Sequence, residues 1–392
     1  MEKYDCLIVG AGPSGSTAAK HIAKKGYKVL VVDSRGKPGT PQQCSGLFSR
    51  NILDIISLKK NEILCEIKGA RIYSPSMKLF EIKTKKTQGY VVDRTIFDAR
   101  LLDEAKSAGA KIRTKTRFLK YDKNIAYFSG GYNVSAKIII GADGPNSVVA
   151  KNFGFPELEK KISGIIKLYP EKPKEDVVEL YLSRKTAPGF FAWKIPRKND
   201  VEFGIGTDKN TKQYFDRFLL AHNVKKKPKA TTGGIIPLKW RKETVRRNCL
   251  LVGDAAGHTK ATTGGGVVLG IRAAKIAADA VCDALQKDDI AILSTYETKW
   301  KKEIGRDLKY ALLIRNFLNS LNDSEIDKLV SISSQKVVVD FLKEKGDMDY
   351  PTKMIFAAIK RPKIWLPYMR LIPAILKNIF YCIQHMDHNK KA

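Results

Sequence analysis

The sequence predicts an α/β protein: a parallel-sheet domain, an antiparallel β-sheet domain inserted into it, and a helical C-terminal part. Three observations predict this. Two short apolar runs, residues 4–10 and 27–32, flank a glycine-rich turn and a helical stretch at 16–25. Between 163 and 206 the hydrophobic period changes to two, the period of half-buried strands. From 264 onward the chain reads mostly as helix, beginning with a long stretch to 285.

The first element is the most informative. The run ending at Val9 enters Gly10-Ala11-Gly12-Pro13-Ser14-Gly15, a helix follows at once, and the next run ends in Asp33. Strand, glycine turn, helix, strand and acid form the Rossmann dinucleotide-binding fingerprint. Gly10 makes the tight turn, Gly12 lets the backbone approach a pyrophosphate, and Gly15 lets the helix sit close to the strand. The helix N-terminus at Ser14 and Gly15 faces the anion. Asp33 stands where a carboxylate accepts from an adenosine ribose hydroxyl.

Farther along, Ile96, Phe97, Leu101, Leu102 and Ala105 recur at helical spacing over 93–108, with Asp93 as the cap. A strand is expected at 111–116, a hairpin from 125–128 and 132–134, and an apolar strand at 137–140 leading into Gly141-Ala142-Asp143-Gly144. Residues 165–169, 177–182, 190–195 and 201–205 read as strands of a mainly antiparallel sheet, punctuated by Pro170, Pro173, Pro188 and Pro196. A helix at 211–222 precedes a buried strand at 248–252 that runs into Gly253-Asp254. The expected division is a discontinuous nucleotide-binding domain at 1–160 and 245–300, with an excursion at 60–92, a β-rich domain at 161–244 and a helical region at 301–392.

Composition narrows the partners. The chain has 71 Lys+Arg against 40 Asp+Glu, a net charge of +31. An anionic membrane, an acidic protein or nucleic acid would fit, as would a Lys-rich composition throughout. No zinc spacing, aromatic RNA-binding motif or recognition helix is legible, so nucleic acid is not expected. The six cysteines, Cys6, Cys44, Cys65, Cys249, Cys282 and Cys382, form no CxxC pair. Cys6, Cys249 and Cys282 read as core fillers of a protein in a reducing cytosol, and no metal site is expected. The N-terminus reads as the first strand and not a signal peptide, and no stretch of about 18 charge-free apolar residues predicts a membrane span. The basic, aromatic stretch from Lys360 to Gln384 suits either a membrane interface or a helical cap.

Three motifs at strand ends belong together: the fingerprint, Gly141-Ala142-Asp143-Gly144-Pro145-Asn146-Ser147, and Gly253-Asp254-Ala255-Ala256-Gly257 followed by Thr262-Thr263-Gly264-Gly265-Gly266-Val267. In open α/β sheets ligands bind at the carboxyl ends of strands, so three such ends suit one long cofactor. The set resembles FAD-dependent enzymes of the p-hydroxybenzoate-hydroxylase-like superfamily, over roughly residues 1–300. Within it, Phe191-Ala192-Trp193-Lys194-Ile195-Pro196 with Gly204-Ile205-Gly206, and Cys44-Ser45-Gly46, resemble the signatures of the geranylgeranyl reductase family. Phe191 and Ile195 depart from that family's Tyr and Phe, so a tyrosine hydroxyl is absent there.

The resemblance implies a glutathione-reductase-type FAD-binding domain. FAD contacts would come from Gly10, Gly12, Ser14 and Gly15 at the pyrophosphate and Asp33 at the ribose. Cys44, Ser45 and Leu47 would lie beside the flavin, Arg94 would reach the cofactor, and the Phe118 backbone would meet the adenine. Asp254 would accept a ribityl hydroxyl, and residues 264–266, with Gly266 and Val267, would offer free backbone N–H groups to a flavin carbonyl. Cys44 is the candidate proton donor, and Phe191 and Trp193 the candidate walls of a substrate tunnel. His258 is the histidine nearest the flavin motifs and is not expected to be a catalyst.

The activity that the resemblance implies is reduction of C=C bonds in geranylgeranyl chains, those of archaeal-type ether lipids. The partners would be a prenylated lipid, the inner face of the cell membrane, and an acidic electron donor such as ferredoxin, since neither a second fingerprint nor an Fe–S cysteine set is present. Two other classes share the cofactor motifs: a flavin monooxygenase or halogenase, and a non-catalytic flavin-bearing lipid-binding protein. Phe191, in place of the first Trp of the halogenase signature, and Cys44 favour the reductase.

Overall fold

The computed structural model describes residues 1–371, so the part of the basic, aromatic stretch beyond Leu371 lies outside the described residues. The described chain divides into two compact units, one of residues 1–64, 90–161 and 234–308, the other of residues 65–89, 162–233 and 309–371.

The first unit is built on a sheet with the strand order Val245–Arg246, Cys249–Leu251, Asn133–Gly141, Glu2–Val9, Val29–Val32 and Lys111–Arg113. All pairings along this path are parallel except that of the first two strands. Its strands are apolar on both faces because both are covered, as parallel sheets require. Cys6, Ile8, Val31, Ile138 and Ile140 share a core with Ala18, Ala19 and Ile22 of helix Pro13–Lys24 and with Ala273, Ala274, Ala277, Val281 and Ala284 of helix Val267–Gln286. Leu7, Val9, Leu30 and Ile139 point the other way and meet Phe118, Phe128, Val149 and Phe153. The alanine seam lets the two helices approach closely, which the fingerprint turn needs.

One expectation is corrected here. Residues 132–134 and 137–140 are not a hairpin arm and a separate strand but one strand, Asn133–Gly141. Its first half pairs antiparallel with Ile125–Phe128, while its whole length runs parallel to Glu2–Val9. Ile125–Phe128 pairs in turn with Phe118–Asp122, a strand whose mostly exposed residues gave no hydrophobic signal.

The second unit carries a seven-stranded sheet, ordered Ala230–Pro237, Lys161–Tyr169, Val201–Thr207, Ala192–Pro196, Val177–Tyr181, Gly69–Tyr73 and Leu79–Lys83. It is antiparallel except between Val177–Tyr181 and Gly69–Tyr73. Helix Thr211–Ala221 covers it through Phe215, Phe218 and Leu219 against Tyr169, Tyr181 and Phe203. Helix Asp323–Ser333 shares a second core with Phe80 through Ile326 and Val330, so the C-terminal helices are built onto the sheet. Among the described residues no helix is long and apolar enough to cross a membrane.

Candidate FAD site

The strand register brings the three motifs together. Val9 pairs with both Val32 and Gly141, and Gly141 pairs with Leu251, so four strands end in one row. Gly10, Asp33, Ala142-Asp143 and Gly253-Asp254 leave that row on the same edge and line a cleft of about 610 Å³. That volume lies within the usual range for ligand sites.

The turn at the first strand is fixed by close backbone approaches. Gly10 has φ +108°, and a Cβ there would stand 2.3 Å from the Ala142 carbonyl oxygen. A Cβ on Gly15 would stand 2.0 Å from the Gly10 oxygen. A Cβ on Gly12 would meet no protein atom within 4 Å, yet Gly12 lines the cleft. The first two glycines thus serve the fold, and the third keeps space open for a ligand. Ser14 fits between Gly253 and Gly270, with its Oγ 2.7 and 2.6 Å from where their side chains would begin.

Asp33, at the end of the second strand, accepts from Ala11 N–H at 2.8 Å through Oδ2 and from Arg35 N–H at 2.7 Å through Oδ1. It braces the glycine turn and still lines the cleft with Arg35, Thr116, Arg117 and Phe118. Phe118 is itself buried, and the cleft meets it at the start of its strand.

At the other end stand Cys44, Arg94, Asp254, Gly266 and Val267. Asp93 caps helix Arg94–Ser107 by accepting from Thr95 N–H at 2.9 Å. That sets Arg94 to donate to both oxygens of Asp98, at 2.7 and 2.8 Å. Burial works against the Arg94 charge, but Asp98, Cys44 and Asp254 outweigh it and hold its pKa above the usual guanidinium range. Burial pushes the Asp254 carboxyl up, opposed by Thr259, which donates to Oδ1 at 3.2 Å, and by Arg94. Cys44 is exposed, and its sulfur accepts from Gly46 N–H at 3.4 Å. The segment around it is held by Gly39 and Gly46, whose side chains would begin 2.3 Å from the Arg94 oxygen and 2.2 Å from the Val92 oxygen.

Not every expected residue lies in the lining. Ser45 and Leu47 are half-buried beside the cleft and outside its wall. Gly264 does not offer a free N–H, because it donates to the Lys260 oxygen at 2.8 Å. Asp143 lines the cleft but also caps helix Val148–Asn152, accepting from Ser147 Oγ at 2.6 Å and Val149 N–H at 3.1 Å. His258 is fully buried against Trp300, ring centroids 4.6 Å apart, away from the lining.

Phe191 and Trp193 belong to the second unit and are buried there. Trp193 Nε1 donates to Glu202 at 2.9 Å, and Arg197 holds the same carboxylate at 3.0 Å. A Cβ on Gly204 would stand 2.2 Å from the Trp193 ring, and one on Gly206 2.7 Å from the Phe190 ring. The Gly-Ile-Gly segment is therefore glycine because aromatic rings lie over it.

Sequence reasoning missed the contributions of Gly234, Ile235, Gln42 and Gln43 to the wall. It also missed Arg241, which donates to the Ala255 oxygen at 2.7 Å and to the Pro156 oxygen and so pins the Gly253–Gly257 turn from behind. A buried arginine between two glycine motifs has no periodic signature.

Comparison with known proteins agrees with this geometry. The family profile described as FAD binding domain matches residues 3–306. A digeranylgeranylglycerophospholipid reductase of Methanosarcina mazei is 31% identical over 362 residues, spanning 84% of this chain and 88% of that protein. The solved structure of a geranylgeranyl bacteriochlorophyll reductase-like protein from Thermoplasma acidophilum superposes with a TM-score of 0.83 at 29% identity, over 95% of this chain and all of that one. A p-nitrophenol 4-monooxygenase from Pseudomonas putida, at 14% identity and TM-score 0.70 over 88% of this chain and 98% of that one, shares the fold alone. The cleft, open at Gly12 and bounded by Asp33 and Asp254, fits FAD, and the chain belongs to the geranylgeranyl reductase family of FAD-dependent oxidoreductases.

Proposed function

We propose that this chain saturates C=C bonds in the geranylgeranyl chains of archaeal-type ether lipids. The observation that carries the substrate class is the similarity, over most of both chains, to the Methanosarcina mazei reductase. The cleft supports the chemistry. Gly10, Gly12, Ser14 and Gly15 would hold the FAD pyrophosphate, Asp33 the ribose, and Phe118 the adenine end. Asp254 would take the ribityl chain, with Arg94, Cys44, Ser45, Leu47, Gly266 and Val267 around the flavin. When bound and reduced, FAD supplies the hydride. The alkene is unactivated, so the chain's own work is to orient it and exclude water. The exposed Cys44 thiol, steadied by Gly46 N–H, is the group we assign to hold the balancing proton. Phe191 and Trp193 would form part of the wall along the prenyl chain.

We assign the donor to an acidic redox protein such as a ferredoxin, which the net charge of +31 would attract. We also assign the chain to the inner face of the cell membrane. Phe356, Ile359, Trp365, Leu366 and Met369 are exposed and interleaved with Lys353, Lys360 and Lys363, a composition suited to an anionic lipid surface.

The test is anaerobic incubation of reduced holoprotein with an unsaturated ether phospholipid, followed by mass spectrometry. The expected product gains two hydrogens per bond. A hydroxylated or halogenated product would instead favour the monooxygenase or halogenase reading. Lipid binding without turnover would favour a flavin-bearing lipid carrier.

A further inference from the structure

We propose that a surface groove between helix Pro13–Lys24 and helix Arg94–Ser107 docks an acidic one-electron carrier protein, which feeds the FAD through a wall that groove and cleft share. The docking rests on the FAD and acidic-donor assignments above and gives that donor a place. The groove has a volume of about 720 Å³, larger than the FAD cleft, and lies wholly within the first unit.

Its charge is lopsided. Lys20 and Arg100 are held by Glu104 and Glu62. Lys24, Lys37 and Lys59 also line the groove, are exposed, and make no ion pair among the described residues. Against these three stands one further carboxylate in the lining, Asp103. The positive excess attracts an acidic surface, and the exposed Ile96 with the half-buried Ala99 adds apolar contact. Transient electron-transfer complexes need only a small interface, with charge setting the encounter rate.

The wall is one chain thick. Lys37 and Thr95 line the groove, while their immediate neighbours Pro38 and Arg94 line the FAD cleft. A Cβ on Gly39 would stand 2.3 Å from the Arg94 oxygen and 3.1 Å from Thr95 Cα, so the two segments are in backbone contact. Helix Arg94–Ser107 thus turns Arg94 and Asp98 to the cleft and Thr95, Ile96 and Ala99 to the groove. Arg94 shares the end of the cleft assigned to the flavin with Cys44 and Asp254. This layout selects the class of donor. A hydride donor must bring its reacting carbon within about 3–3.5 Å of the flavin, and from this groove the backbone stands in the way. An electron crosses such a wall without contact. Two carriers in succession, each oxidised by one electron, together with one proton from solvent, supply one full reduction of FAD.

The experiment compares FAD-loaded wild type with the triple variant Lys24→Glu/Lys37→Glu/Lys59→Glu. A control, Lys172→Glu/Lys225→Glu/Lys227→Glu, makes the same change of charge at exposed positions of the second unit. The probe is an acidic plant-type ferredoxin. Two quantities are read without lipid over a range of salt: binding of the oxidised ferredoxin by calorimetry, and the rate at which the reduced ferredoxin bleaches the flavin. In wild type both should weaken as salt rises. At low salt the groove variant should bind about tenfold more weakly or worse and bleach about tenfold more slowly or worse, with the control within about threefold of wild type. Dithionite should bleach all three proteins completely, showing that FAD and its cleft are intact.

Equal bleaching of groove variant and wild type by ferredoxin overturns the proposal, as does equal slowing in the control. Wild type that ferredoxin leaves oxidised and NADPH reduces overturns it too, in favour of a hydride donor entering the cleft itself. Loss of anionic-vesicle binding in the groove variant with ferredoxin rates unchanged gives the groove to the membrane instead. If the triple variant does not fold, the three single variants decide by the same readings. Lipid saturation driven by dithionite is scored separately. A protein bleached through the groove that saturates no prenyl chain loses the proposed substrate and keeps the docking surface; one that saturates with dithionite yet ignores ferredoxin keeps the substrate and loses the docking surface.

Discussion

The Ala142 carbonyl oxygen lies 2.3 Å from where a side chain on Gly10 would begin. Two segments more than a hundred residues apart are thus in backbone contact at the mouth of the cleft. The contact follows from the pairing of Val9 with Gly141, which puts both strand ends on one row.

Gly10→Ala should therefore damage the fold. It adds strain at φ +108° and a clash with rigid backbone, for a cost of about 3 kcal/mol or more. Gly12→Ala should leave the apoprotein's stability within about 0.5 kcal/mol of wild type, because φ is −72° and no neighbour lies within 4 Å. It should still lose FAD. Thermal unfolding of both apoproteins, with flavin titration, checks the contrast; tight FAD binding by Gly12→Ala would remove the pyrophosphate assignment.

Asp33→Asn and Asp33→Ala should weaken FAD binding about ten- to hundredfold, the worth of one charge-assisted hydrogen bond. Ala should also destabilise the apoprotein, since Ala11 and Arg35 N–H lose their acceptor. Asp254→Ala should weaken FAD binding similarly. Full FAD occupancy in these variants, measured by absorbance after gel filtration, would contradict the assignment.

His258 should make the protein acid-sensitive. Burial pushes its pKa down to about 3 from an ordinary 6.5, and neither ring nitrogen has a hydrogen-bond partner among the described residues. The unfolded chain takes up the proton first. Stability from this residue is therefore complete above pH 6.5 and declines as pH falls toward 3, at about 1.4 kcal/mol per pH unit. Between pH 6.5 and 4.5 the loss should be about 2 kcal/mol. Denaturant unfolding of wild type and His258→Leu at several pH values isolates the effect, and parallel pH profiles would refute it.

Gly204→Ala should expel the Trp193 ring and break its bond to Glu202, destabilising the protein by about 2–4 kcal/mol. Trp193→Phe should cost about 1–3 kcal/mol, because the buried Glu202 carboxylate loses the indole N–H donor. If the wall role is also correct, Trp193→Phe should raise KM for a prenyl lipid in protein that remains folded; an unchanged KM would leave Trp193 a core residue only.

Replacing Trp365, Leu366 and Met369 by serine should weaken binding to anionic vesicles at high salt, where charge attraction is screened and apolar insertion dominates. The three are exposed, so the fold should be unaffected. Equal flotation of variant and wild type at high salt would place any membrane contact elsewhere.

The sequence by itself determined the local parts of this protein. Gly10, Gly12, Gly15 and Asp33 were legible because a tight turn, a helix start and an acid at the end of the next strand follow one another at fixed spacing, set by φ and by missing Cβ atoms. The continuous apolar strands announced a sheet covered on both faces. Only the tertiary structure decided which strands share a row, and hence that Gly141 and Leu251 deliver Asp143 and Asp254 to the cleft that Gly10 opens. Register is a long-range property, fixed by how side chains fit across strands far apart in the chain. The same reason hid Phe118–Asp122 and Arg241. The strand gains its place by pairing with a neighbour, and the arginine by bridging two carbonyls 99 residues apart in sequence (Pro156 and Ala255). Neither of these leaves a periodic trace in the order of residues.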